Sequence, residues 1–297
     1  MAKLELRGAF TALVTPFSED GSAIDFDAYD KLVEAQISGG ISGLVPCGTT
    51  GETPTLTDSE QRELVKRTVS VAKGRVPVLV GTGSNSTKKS IDASKAALEA
   101  GADAVMIVMP YYNKPSQEGM VRHVETIAKA VGAPIVLYNI PGRTGVELSV
   151  ASLLRILDSS KNVVAVKDAT GNVQSCQQLL SKAGDRIVVM SGDDPLTLPM
   201  MSVGAKGVIS VTSNVYPKDV SEVVADAAAG RWDDAREKHF KLLPVHAAMF
   251  CEPNPQPVKA ALSVKGRMRA TVRPPMIEAS EACRMTVAAA MKEYEGS

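Results

Sequence analysis

Residues 102–140 read ADAVMIVMPYYNKPSQEGMVRHVETIAKAVGAPIVLYNI, and the stretch changes period twice. ADAVMIVMP and APIVLYNI are short continuous apolar runs, the pattern of strands covered on both faces. Between them Ser116 precedes Met120, Val121, Val124, Ile127, Ala128 and Val131, and Gly132 follows. That is an apolar face at helical spacing behind an N-cap residue, with a glycine placed to end the helix. Strand, helix and strand in this length predict a βαβ unit with parallel strands.

The same alternation recurs outward in both directions. GAFTALVTPF, ISGLVPCGTT, VPVLVGTG, VVAVKDAT, RIVVMSGD and GVISVTS read as further strands. Thr57 and Glu60 have capping-box spacing, and Gly40, Gly74 and Gly101 sit where helices should stop. About eight βα units predict an α/β fold, a closed (β/α)8 TIM barrel. An open doubly wound sheet is the rival, but no G-x-G-x-x-G follows the first strand, and the GTG at 81–83 is too weak to count. After residue 230 the strand signal stops. RWDDAREKHFKLLPVHAAMF, PQPVKAALSVKG and PPMIEASEACRMTVAAAMKEY read as helices separated by proline-rich breaks. The expected division is a catalytic barrel over 1–230 and an all-helical C-terminal appendage over 231–297.

The chain has 297 residues, 44% of them hydrophobic, so a large core is available. Lysines plus arginines equal aspartates plus glutamates at 33 each, with no block of one sign, which argues against nucleic acid or an anionic membrane surface as partner. MAKLELRGAF lacks the apolar core of a secretory signal and no stretch reaches a membrane span, so a cytoplasmic location is expected. Cys47, Cys176, Cys251 and Cys283 lack metal or disulfide spacing and read as packed thiols. No metal site is expected.

Parallel barrels build their sites at the C-terminal ends of the strands. Here those ends are GTTGE (48–52), PYYNKPS (110–116), YNIPGRTG (138–145), KDATG (167–171) and SGDD (191–194). A lysine, tyrosines, paired threonine hydroxyls and an arginine suit attack on a carbonyl. Lys167 ends an apolar run whose low dielectric lowers an amine's pKa toward ~7–8 and makes it a Schiff-base nucleophile. The competing reading is a snorkelling lysine or one paired with Asp168, although neighbours on a strand point to opposite faces.

Tyr138 is either a half-buried strand aromatic or a proton relay. Thr49 and Thr50 either cap a turn or hold a small carboxylate. Arg143, read as a loop residue, is a solvated charge or a bidentate carboxylate clamp. Cys47 reads as a small buried hydrophobe, having no histidine to activate it. His123, His239 and His246 lie in helical stretches away from the strand ends and read as structural.

From GAFTALVTPF through GTTGE, PYYNKPSQEG, YNIPGRTG, KDATG and SGDD to EPNPQPVK, the chain resembles the 4-hydroxy-tetrahydrodipicolinate (dihydrodipicolinate) synthase family. That family lies within the pyruvate-dependent class I aldolases that include N-acetylneuraminate lyase. The resemblance implies that Lys167 forms an imine with pyruvate, while Tyr138, Thr49 and Tyr112 relay protons. Tyr112 would come from the neighbouring subunit of a tight dimer, within a homotetramer. Thr50 would hold the pyruvate carboxylate, Gly192 and Ile209 would line the site, and Arg143 would bind the carboxylate of aspartate semialdehyde. No metal or organic cofactor is implied.

Asn85 and Tyr111 match the family's effector-site pattern, whereas Asp58, Gln61 and Lys89 depart from the lysine-inhibited one, so weak or absent feedback inhibition is expected. Two other readings stay open at this level: a sugar-acid or hydroxy-oxo-acid aldolase, and a catalytically silent barrel that binds 2-oxo acids.

Overall fold

The computed structural model describes residues 4–296. Its strands are β1 (Gly8–Ala12), β2 (Gly43–Val45), β3 (Leu79–Gly81), β4 (Ala104–Val108), β5 (Ile135–Asn139), β6 (Val163–Asp168), β7 (Val188–Ser191) and β8 (Gly207–Ser210). They pair in the order β2-β1-β8-β7-β6-β5-β4-β3, and every pairing is parallel.

The two ends of that order meet through a parallel bridge between Leu44 and Val78. Leu44 N donates to Pro77 O and Gly81 N to Pro46 O, each at 3.0 Å, and the barrel closes there. Glycine permits the close approach at this seam: a Cβ on Gly81 would lie 2.3 Å from the Cys47 carbonyl oxygen.

Helices alternate with the strands as the periodicity predicts. In Gln117–Val131 the Ser116 side chain accepts from Gly119 N, and Gly132 ends the helix at φ 66°. In Asp58–Ala72 the Thr57/Glu60 capping box forms, but the left-handed cap is Lys73 at φ 49°, one residue before the expected Gly74.

Two apolar layers result. One fills the barrel with Phe10, Val45, Leu79, Met106, Val136, Tyr138, Ala165, Met190 and Ile209. The other packs the outer faces of the strands against the helices. The register of β6 decides which layer receives its last residues. Pairing with β5 slips between Ile135 and Val136, where β6 carries Val164 as an extra residue. After this bulge Ala165 faces the interior and Val166 the helices. By the two-residue period Lys167 points inward and Asp168 outward.

The C-terminal helices Trp232–Ala248, Gln256–Val264 and Glu281–Glu295 form as expected. They are tied into the barrel mouth by side chains. Lys259 bonds to Glu52 at 2.5 Å, Asn254 to Thr50 at 3.0 Å and Arg273 to Glu60 at 2.6 Å. No described helix is long and apolar enough to cross a membrane.

Candidate active site at the strand ends

Lys167 is 5% exposed, and its amine lies 4.2 Å over the ring centroid of Tyr138, its register partner on β5. Burial lowers its pKa to about 8. Asp194 opposes that shift and Arg143 adds to it. Among the described residues no carboxylate stands within ion-pair distance of Nζ. Asp168 is not the partner, because it faces away. Its Oδ1 accepts the Thr170 amide at 2.9 Å and the Thr170 hydroxyl at 2.7 Å, which shapes the KDATG turn. Gly192 gives Lys167 its space, since a Cβ there would lie 3.1 Å from both Lys167 Cε and Cγ. Its part here is steric.

Tyr138 is buried and pushed up to about 12 by that burial, with a hydrogen bond from Thr49 and the charge of Arg143 acting the other way. It therefore keeps its proton at neutral pH and is in contact with Thr49. Thr50 is buried, and its Oγ1 accepts from Asn254 Nδ2 at 3.0 Å.

The loop that carries these threonines is strained at both ends. Cys47 has φ 55° and Glu52 φ 58°, unusual for residues with a Cβ. Anchors hold it there. Thr53 Oγ1 donates to the carbonyls of Cys47 and Gly48, Thr15 Oγ1 donates to Gly51 O at 2.8 Å, and Glu52 is clamped by Lys259 and by the Arg273 amide at 2.9 Å. Cys47 itself is buried and its thiol is raised to about 12, which leaves it unreactive.

Arg143 lies on a single helical turn, Pro141–Thr144, and not on an irregular loop. It is exposed, with Nη2 donating to Asn254 O at 3.3 Å. A cavity of about 660 Å³ opens above the strand ends, and Thr49, Tyr138, Ile140 and Arg143 are on its wall. Lys167 is not on that wall; the Tyr138 ring stands beside its amine. The cavity continues between the helices that start at Asp58 and Thr87, where Asp58, Gln61, Lys89 and Tyr111 line it. Asn85 is not on its wall; its carbonyl accepts from Asn113 Nδ2 at 2.9 Å. Ile209 is buried in the barrel interior.

Tyr112 is not brought into this constellation. It is 88% exposed and held at φ 71°, projecting away from its own chain.

Two functional candidates escaped the sequence reading. Asp194 acts on Lys167 through charge while Ser210 Oγ and the amides of Val211 and Thr212 donate to its carboxylate, the amides at 2.9 and 3.2 Å. SGDD was visible as a strand end, but not which of its residues turned inward. Asn254 joins Thr50 to Arg143 from more than a hundred residues away. Nothing local in EPNPQPVK signals that contact. The histidines are buried in helices, but His246 is not remote from the strand ends. Its Nδ1 lies 2.8 Å from Thr212 Oγ1, just past β8.

A buried amine with no ion-pair partner among the described residues, on the sixth strand of a parallel barrel beside a protonated phenol and a threonine-rich loop, fits the class of (β/α)8 lyases that work through a lysine imine. The chain belongs to the dihydrodipicolinate synthetase family, whose model matches residues 5–294. A relative from Sorangium cellulosum, a 4-hydroxy-tetrahydrodipicolinate synthase, is 59% identical over 99% of this chain and 98% of its own. One of the same name from Geobacter metallireducens is 48% identical over 97% and 99%. Among solved structures, a chloride-inhibited dihydrodipicolinate synthase from Acinetobacter baumannii complexed with pyruvate superposes with a TM-score of 0.96. Its identity is 42%, and the match covers 98% of this chain and 99% of that one.

Proposed function

We infer that this chain is a 4-hydroxy-tetrahydrodipicolinate synthase, which condenses pyruvate with L-aspartate 4-semialdehyde in the diaminopimelate route to lysine. The observation that carries this reading is the Lys167 amine, buried and without a carboxylate partner among the described residues, in a chain that matches synthases end to end. The full-length relatives support this over a sugar-acid aldolase or a silent barrel.

In the proposed sequence the neutral amine attacks the pyruvate carbonyl carbon, and loss of water leaves the imine. Thr50, positioned by Asn254, receives the pyruvate carboxylate together with the neighbouring loop. Tyr138 passes protons through Thr49 as the carbinolamine loses water and the methyl carbon gives up a proton to form the enamine. The enamine carbon attacks the aldehyde, whose carboxylate Arg143 holds. Ring closure by the substrate's own amine then displaces Lys167.

Tyr112 serves the site of a second copy, which its exposure and strained backbone support, and the assembly is a homotetramer of paired dimers. Turnover of aspartate semialdehyde compared with sugar-acid acceptors tests the substrate. A clear preference for a sugar acid contradicts it. Lys89 on the cavity wall repels a cationic effector, so millimolar lysine is expected to leave more than half the activity. Halving of the rate contradicts that.

A further inference from the structure

Two of the four cysteines, remote in sequence, meet in the C-terminal region. Cys251 Sγ and Cys283 Sγ are 2.9 Å apart, closer than two sulfurs normally pack and one short movement from the bonded separation of about 2.0 Å. Cys251 is exposed on the turn after the helix Trp232–Ala248, and Cys283 is buried in the first turn of Glu281–Glu295. The packed-thiol reading therefore fails for Cys251.

The surroundings hold both backbones in place. The Ser280 side chain accepts from Cys283 N at 3.1 Å, and Glu252 Oε2 accepts from Ser280 N at 3.1 Å. Three residues beyond Cys251, Asn254 contacts Thr50 and Arg143.

We propose that Cys251 and Cys283 are a reversible disulfide-forming site, which takes a small-molecule disulfide as oxidant and locks the turn that carries Asn254 to the helix Glu281–Glu295. Cys251 is the attacking sulfur because it is open to solvent. Burial, with Cys251 and Glu252 beside it, holds the Cys283 thiol up at about 12, so it stays protonated until Cys251 is capped and its raising influence is lost. The Cys251 thiolate attacks one sulfur of the oxidant and expels one small thiolate, leaving a mixed disulfide. Cys283 then attacks Cys251 Sγ, expels the second small thiolate and gives up its proton to it. Two protein thiols are oxidised and one disulfide is reduced to two thiols, with no other reactant. Exposure of Cys251 leaves the product open to reduction by the same route.

The test is incubation of the full-length protein with oxidised glutathione, then alkylation after denaturation and peptide mapping without reductant. The expected product is a crosslinked pair of peptides bearing Cys251 and Cys283, with Cys47 and Cys176 alkylated. The thermal midpoint should rise by on the order of 5 °C and fall back with dithiothreitol. Cys251→Ser, at an exposed position, should fold and turn over normally while losing both the crosslink and the rise. A stable glutathione adduct on Cys251 with Cys283 still alkylated overturns the proposal. So does a crosslink that leaves the midpoint unmoved.

Discussion

Lys167 and Lys259 are nearly twins by every local measure. Both are buried, both amines lie 4.2 Å over an aromatic ring, of Tyr138 and Phe17 respectively, and burial brings both pKa values to about 8. Each also has an arginine that depresses it further and a carboxylate that resists, Arg143 and Asp194 for one, Arg273 and Glu52 for the other. They differ in what the amine touches. Lys259 donates to Glu52 at 2.5 Å and to Thr271 O at 2.7 Å, so its ammonium is held in place. Among the described residues Lys167 has neither contact, and the Tyr138 ring stands beside its amine. A lowered pKa marks both lysines, and the proposed nucleophile is the one with no acceptor among the described residues.

Substitution of each lysine should separate the roles. Lys167→Ala is expected to cost at least about a thousandfold in turnover with little change in thermal midpoint, since a nucleophile is lost and no charge is stranded. A residual rate within tenfold of the parent would break the distinction. Lys259→Met should do the reverse, because Glu52 is left charged and buried. A loss of about 3–5 kcal/mol is expected, lowering the midpoint by on the order of 10 °C. Adding Glu52→Gln should recover part of it. If the double variant is no better than the single, the ion pair is not what holds the GTTGE loop.

Arg143 is the next smaller lever. Arg143→Ala removes a charge-assisted contact worth about 1.5–3 kcal/mol, so the KM for the aldehyde should rise about ten- to a hundredfold while pyruvate trapping persists. An unchanged aldehyde KM would remove Arg143 from substrate binding.

The smallest effect is on pH. Imine formation needs the neutral amine, so kcat/KM for pyruvate should rise with pH and level off above about 8. Because Arg143 depresses the Lys167 pKa, Arg143→Ala should move that inflection to higher pH. A shift to lower pH would contradict that account, because the remaining Asp194 charge also acts to raise the pKa.

The barrel was legible because strands buried on both faces read as unbroken apolar runs, and helices between them carry their own caps. The seam between β2 and β3 was not. It rests on a close backbone approach at Gly81 that no periodicity reports. For the site, Lys167, Tyr138 and Thr49 were readable as polar endings of apolar runs, and Asp168 was correctly set aside by strand alternation alone. Asn254, the Lys259–Glu52 pair and the Cys251–Cys283 contact were not readable, because each joins segments between 32 and 207 residues apart. Asp194 belongs to the SGDD strand end, where the resemblance points to Gly192 two residues earlier; only the folded register shows which SGDD atoms turn toward the lysine.

The most direct test is to incubate the protein with pyruvate and borohydride and map the reduced adduct. A single modified lysine at Lys167, with Lys259 untouched, is the expected result. An adduct at Lys259, or none on Lys167, would contradict the assignment of the free buried amine as the imine-forming group.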